Sequence, residues 1–103
     1  IGDIVYFTQL GTPAAHRIAS VYKTMLEANN LWIGTGGSTL GIQADSGCVV
    51  LCGRLDVVGV TAESLALLLD AFTDTALFWQ KVVTDTLPDA AISLPPADYL
   101  LRG

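Results

Sequence analysis

The sequence is poor in the residues that most chemistry needs. Histidine occurs once, at His16, cysteine twice and methionine once, and five Lys and Arg stand against ten Asp and Glu. With a formal net charge of −5 and no basic cluster, the counterion release that drives binding to nucleic acid is missing, as is a polybasic patch for anionic lipid. No apolar run approaches the roughly 20 residues that span a bilayer, and no charged-then-apolar start resembles a secretory signal. Nucleic acid and membrane insertion drop out as expectations, and the expected compartment is the cytoplasm. The cysteines agree with it. On one predicted strand Cys48 and Cys52 stand about 13 Å apart, at ~3.3 Å per residue, too far to bridge each other. With a single distant histidine they make no zinc set, and they read as free thiols.

What the chain does have is apolar surface. Hydrophobic residues fill 51% of its 103 positions, enough for one compact domain with one core. A chain of this size sits near the low end of what stands alone, so association with a second chain is expected. It opens on Ile1 rather than Met and enters a strand pattern almost at once, so the working protein is expected to have an N-terminal segment that this chain lacks. The domain is placed at residues 1–87, and residues 88–103, with Pro88, Pro95 and Pro96, form a C-terminal tail ordered only by contacts.

Residues 3–10, "DIVYFTQL", are β-branched, aromatic and apolar, the composition of a strand, which Gly11 ends. Thr12 then suits an N-cap and Pro13 a first helical position. In the helix that follows, Ile18, Val21, Tyr22, Met25 and Leu26 recur at steps of three and four and make one buried stripe, closed by Asn29 and Asn30. From Leu31 to Val60 the period shortens. "LWIGT", "STLGIQAD" and "CVVLCGRLDV" are β-rich runs separated by "GG" and "DSG", which predicts a meander of antiparallel strands with Gly36 and Gly37 as a hairpin turn. In the last run Val49, Leu51, Leu55 and Val57 share one face, while Cys48, Val50, Cys52, Arg54 and Asp56 share a mixed one. A long second helix starts near Thr61, whose hydroxyl caps it, with Glu63 complementing the dipole. Its stripe of Leu65, Leu68, Leu69, Phe72, Ala76, Trp79 and Val83 makes Phe72, Ala76 and Trp79 core residues.

The glycine-rich stretch "WIGTGGSTLG" (Trp32 to Gly41) invites a phosphate and fails each pattern. The dinucleotide fingerprint needs glycine where Thr39 stands. The P-loop spacing from Gly36 to Gly41 is followed by Ile42 and Gln43 where Lys and Ser or Thr belong. The nucleophile elbow needs glycine where Leu40 stands. The residues after Gly41 alternate like a strand, so no helix N-terminus waits there for an anion. His16 alone supplies no general base with partners, and Asp70 with Asp74, one turn apart, lacks a third oxygen cluster for a metal. No catalytic, cofactor or metal set emerges. A small nucleotide-binding enzyme built on the glycine stretch stays as the alternative from another class, with a structural subunit of a hetero-oligomer as a third.

Taken in order, "MLEANNLWIGTGGSTLGIQADSGCVVLCGRLDV" and "LLLDAFTDTALFWQKVV" resemble the Tir chaperone (CesT-like) family, the class I chaperones of bacterial type III secretion. The matching places are Leu26, Ala28 and Asn29, Trp32, Gly34 to Gly37, Thr39 to Gly41, Asp45 to Gly47, Val49 to Leu51, and Phe72, Ala76 and Trp79; the likeness covers about residues 4 to 87. It implies an α/β (α+β) fold, a twisted antiparallel sheet packed with helices, dimeric and without enzymatic activity or cofactor. It implies a cytoplasmic chaperone that binds the N-terminal region of a secreted effector and keeps it export-competent, with the secretion-apparatus ATPase as a further partner. The candidate homodimer interface is Ile18, Val21, Tyr22, Met25, Leu26, Asn29, Leu31 and Trp32. The candidate effector contacts are Ile4, Tyr6 and Leu10. A regulatory relative that sequesters a transcription-control partner is the close variant. Family members usually begin with a helix and strands ahead of "DIVYFTQL", and here these are missing.

Overall fold

A computed structural model describes residues 2–84, so the expected C-terminal tail lies outside the described residues. Strand β1 spans Asp3–Gly11, helix α1 Ile18–Asn29, strand β2 Thr39–Ile42, strand β3 Val49–Asp56 and helix α2 Ala62–Val83. The three strands form one antiparallel sheet in the order β1-β3-β2, an α+β fold. No described helix is long and apolar enough to cross a membrane.

The alternation of the strands decides where the helices lie. Leu10, Leu40, Val49 and Leu51 point to one face and are buried with Val21, Met25 and Ala28 of α1 and Trp79, Val82 and Val83 of α2. Both helices therefore cover the same face of the sheet, and its opposite face carries no layer among the described residues. Thr61 caps α2 as the sequence predicts: its hydroxyl accepts from the Ser64 N–H, and Ser64 Oγ accepts from the Thr61 N–H, both at 3.0 Å. This reciprocal pair satisfies two orphan donors of the first turn.

Several local expectations give way to tertiary structure. The first helix does not start at Thr12 and Pro13; Ala15–Arg17 form a 3₁₀ turn without a side-chain cap, and α1 begins at Ile18. At that junction Arg17 is buried and its Nη1 donates to the Val82 carbonyl at 3.0 Å, tying the turn to the last carbonyls of α2. Nor is "LWIGT" a strand. Asn30–Trp32 continue α1 as a 3₁₀ turn, and the left-handed residues are Leu31 (φ 54°) and Trp32 (φ 56°) instead of an asparagine. Gly36 (φ 59°) and Gly37 (φ 90°) do form a turn. It leads from that 3₁₀ turn into β2, however, and joins no hairpin. The one hairpin of this region is β2 to β3, closed by Gln43 and Cys48 with Gly47 at φ 75°.

Candidate binding surface

The uncovered face of the sheet follows from the register. Phe7 stands opposite Cys52, and Cys52 opposite Thr39; Gln9 stands opposite Val50, and Val50 opposite Gly41; Val5 stands opposite Arg54. Cross-strand neighbours share a face, so these residues line one continuous surface. Its apolar members are unshielded. Val5 is 59% and Phe7 63% exposed, and Val50 and Cys52 are half-buried. A β-branched and an aromatic residue projecting to solvent from a nine-residue strand is not what a sheet face meant for water shows, since one-sided sheets place polar residues outward. At the far end of this face Asp3 stands opposite Asp56, and Arg54 Nε lies 3.4 Å from Asp3 Oδ2.

The two outer strands differ at their free edges. On β2, the Asn29 side chain accepts from the Leu40 N–H at 2.9 Å and donates to the Leu40 carbonyl at 2.8 Å. The carboxamide thus occupies the edge position that another strand would take. On β1 the edge away from β3 pairs with no strand among the described residues. Beside it, Thr8, Leu10, Phe72, Ala76, Leu77 and Gln80 line a shallow cleft of about 180 Å³ between β1 and α2.

Tyr6 packs on Phe72, one of the residues that line that cleft. Its ring meets Phe72 edge-on, with centroids 4.9 Å apart, and lies over Gly53 so closely that a Cβ there would overlap it. Burial, and secondarily the nearby Cys52 thiolate, push the Tyr6 phenol above its ordinary pKa.

A second apolar surface sits at the end of α1. Leu26 is 71% and Leu31 77% exposed, and Trp32 and Ile33 are exposed beside them. Trp32 is steered by its Nε1–H, which donates to Thr39 Oγ1 at 3.3 Å. Leu31 and Trp32 are held in the left-handed region, which costs a non-glycine residue on the order of 1–3 kcal/mol and collects at functional positions. Behind this turn Gly34 and Thr35 are buried, and Trp79 Nε1–H donates to the Gly34 carbonyl at 2.9 Å.

The residues named from sequence separate accordingly. Of the dimer candidates, Val21 and Met25 face the chain's own core, Ile18 and Tyr22 are half-buried, Asn29 is spent on Leu40, and Leu26, Leu31 and Trp32 are displayed. Of the effector candidates, Leu10 is 2% exposed and lies in the core, while Ile4 and Tyr6 keep open surface at the start of β1. Trp79 is fully buried, with Phe72 and Ala76 packed against the core at its edge. Val5 and Phe7 went unremarked in the sequence, although the alternation of "DIVYFTQL" already places them together on one face.

A small α+β scaffold that shows apolar side chains on an open sheet face, along an open edge and at a helix end has the make-up of a module that binds protein segments. The chain belongs to the Tir chaperone protein (CesT) family, whose family model matches residues 2–80. That is a family of type III secretion chaperones, in general without a reaction of their own. No curated protein and no solved structure matches the chain.

Proposed function

We propose that this chain is a cytoplasmic secretion chaperone that binds the N-terminal region of a secreted effector in extended form and keeps it export-competent. The observation that carries the reading is β1. A nine-residue strand with one open edge and exposed Val5 and Phe7 offers main-chain pairing and side-chain contact together, the two elements of extended-segment recognition. The protein works as a homodimer through Leu26, Leu31 and Trp32, and hands its cargo to the ATPase of the secretion apparatus. Binding and release need no chemistry of the chain's own.

The test is co-expression with the secreted protein encoded beside its gene, followed by size exclusion with light scattering and limited proteolysis. A stable complex containing two chains per effector, with the effector's N-terminal region protected, is the expected result. A chain that elutes alone, with the effector degraded at its usual rate, overturns the reading.

A further inference from the structure

The open face of the sheet is electrostatically lopsided. At one end the row is neutral, with Gln9 opposite Val50 and Gly41 beyond it. At the other end Asp3 and Asp56 stand directly opposite each other, an arrangement of like charges that costs stability unless something compensates it. Arg54, the one cation on this face among the described residues, lies against Asp3. The Asp56 carboxylate accepts the Val58 N–H at 2.9 Å and has no cationic partner among the described residues. Between the two ends lie Val5, Phe7, Val50 and Cys52.

We infer that this face seats an extended, alternately apolar segment of the bound partner that carries a Lys or Arg at the end lying over Asp56. The inference rests on the chaperone reading and gives the cargo segment a chemistry and a direction. Phe7 and Val50, on adjacent strands one register step apart, receive alternate side chains of the segment, and the basic residue supplies the counter-charge that the fold leaves out. A second copy of this chain does not meet that need. Its own open face offers only an arginine already engaged by Asp3, so stacking two such faces would leave both Asp56 groups without a cation. The overall charge of −5 steers a basic-ended segment toward the chain and an acidic one away.

Fluorescence anisotropy with two labelled peptides tests this, each of alternating valine and threonine, one ended by two arginines and the other by two glutamates. The basic-ended peptide binds about tenfold more tightly, a preference that shrinks as salt is raised. Asp56→Lys abolishes or reverses the preference, and Phe7→Ser weakens both peptides about tenfold. Leu67→Ser, on the exposed side of α2 and outside the cleft beside β1, changes neither. Equal affinity for the two peptides overturns the inference, as does a Phe7→Ser or Asp56→Asn variant that binds like wild type with unaltered far-UV circular dichroism. Asp56→Asn carries the test even if Phe7→Ser folds poorly. The two readings fail separately: an effector complex that survives Phe7→Ser and Asp56→Lys sinks only the seat proposed here, whereas wild-type protein that captures no effector sinks the chaperone reading.

Discussion

Asn29 brackets Leu40 as a neighbouring strand would, taking its N–H at 2.9 Å and giving to its carbonyl at 2.8 Å. One side chain at the end of α1 thereby fixes the start of β2 and occupies that edge at Leu40, leaving β1 as the unpaired edge among the described residues.

Asn29→Ala removes both bonds from a partly buried site and leaves two backbone groups of Leu40 to find water. A loss of about 1–3 kcal/mol is expected. Urea denaturation should show it as a lower midpoint at unchanged slope. Asn29→Asp keeps the acceptor but sets a carboxylate against the Leu40 carbonyl, so it should be no better than the alanine. A midpoint within error of wild type for both variants would mean that the bracket contributes nothing.

Trp79 has two separable roles. Its ring fills the core, and its Nε1–H holds the Gly34 carbonyl at 2.9 Å. Trp79→Phe keeps most of the ring and strands a buried carbonyl, at a cost of about 1–3 kcal/mol. Trp79→Ala adds a cavity and should cost about 3–5 kcal/mol. Equal losses for the two variants in thermal and chemical melts would show that the hydrogen bond is idle.

The core and its helices were legible where periodicity speaks. The stripe through Phe72, Ala76 and Trp79 and the cap at Thr61 needed only spacing and side-chain chemistry. The family match, too, rests on an order of residues that the sequence displays. The failures share one physical cause, tertiary contact overriding local preference. "LWIGT" has the composition of a strand, yet Leu31 and Trp32 sit at positive φ, which no propensity scale assigns to them. Arg17 is buried under α2, and no periodic pattern announces a buried cation. The uncovered face was half legible: alternation separates Val5 and Phe7 from Leu10, but only the packing shows that α1 and α2 both lie on the side of Leu10.

Gly53 and Tyr6 should be strongly coupled. A Cβ on Gly53 overlaps the Tyr6 ring, so Gly53→Ala drives the ring off Phe72 and forfeits an edge-on pair worth about 0.5–1.5 kcal/mol. In a Tyr6→Ala background the same substitution meets open space and should be neutral or mildly stabilising, because alanine suits a strand better than glycine. A double-mutant cycle measures the coupling directly. Additive effects would show that the overlap is relieved elsewhere.

The raised pKa of Tyr6 fixes the sign of a pH effect. Its neutral form is favoured in the folded chain, so the contribution is complete below the ordinary tyrosine pKa of about 10 and is lost as pH rises through the higher folded value. Stability should therefore fall on the alkaline side more steeply in wild type than in Tyr6→Phe. Cys52→Ser should bring the Tyr6 titration, followed by ultraviolet absorbance, back toward the ordinary range. An unchanged titration in that variant would remove the thiolate as a cause.

Leu31 is the position at which stability and self-association should part. Its backbone sits at φ 54° while its side chain is 77% exposed, so in the isolated protomer it carries strain and little buried area. Leu31→Gly removes the strain, on the order of 1 kcal/mol, against a similar entropic cost in the unfolded chain. The melting temperature of the dilute protomer should therefore stay level or rise. The same change deletes an apolar side chain from the proposed dimer surface beside Leu26 and Trp32. Sedimentation equilibrium should then show weaker self-association, by about tenfold or more if Leu31 is an anchor. Measuring stability well below the dimer dissociation constant keeps the two effects apart, since association itself stabilises. A Leu31→Gly protein that melts lower and still dimerises like wild type would mean that the left-handed turn serves the fold, with Trp32 and Leu26 left to account for any dimer.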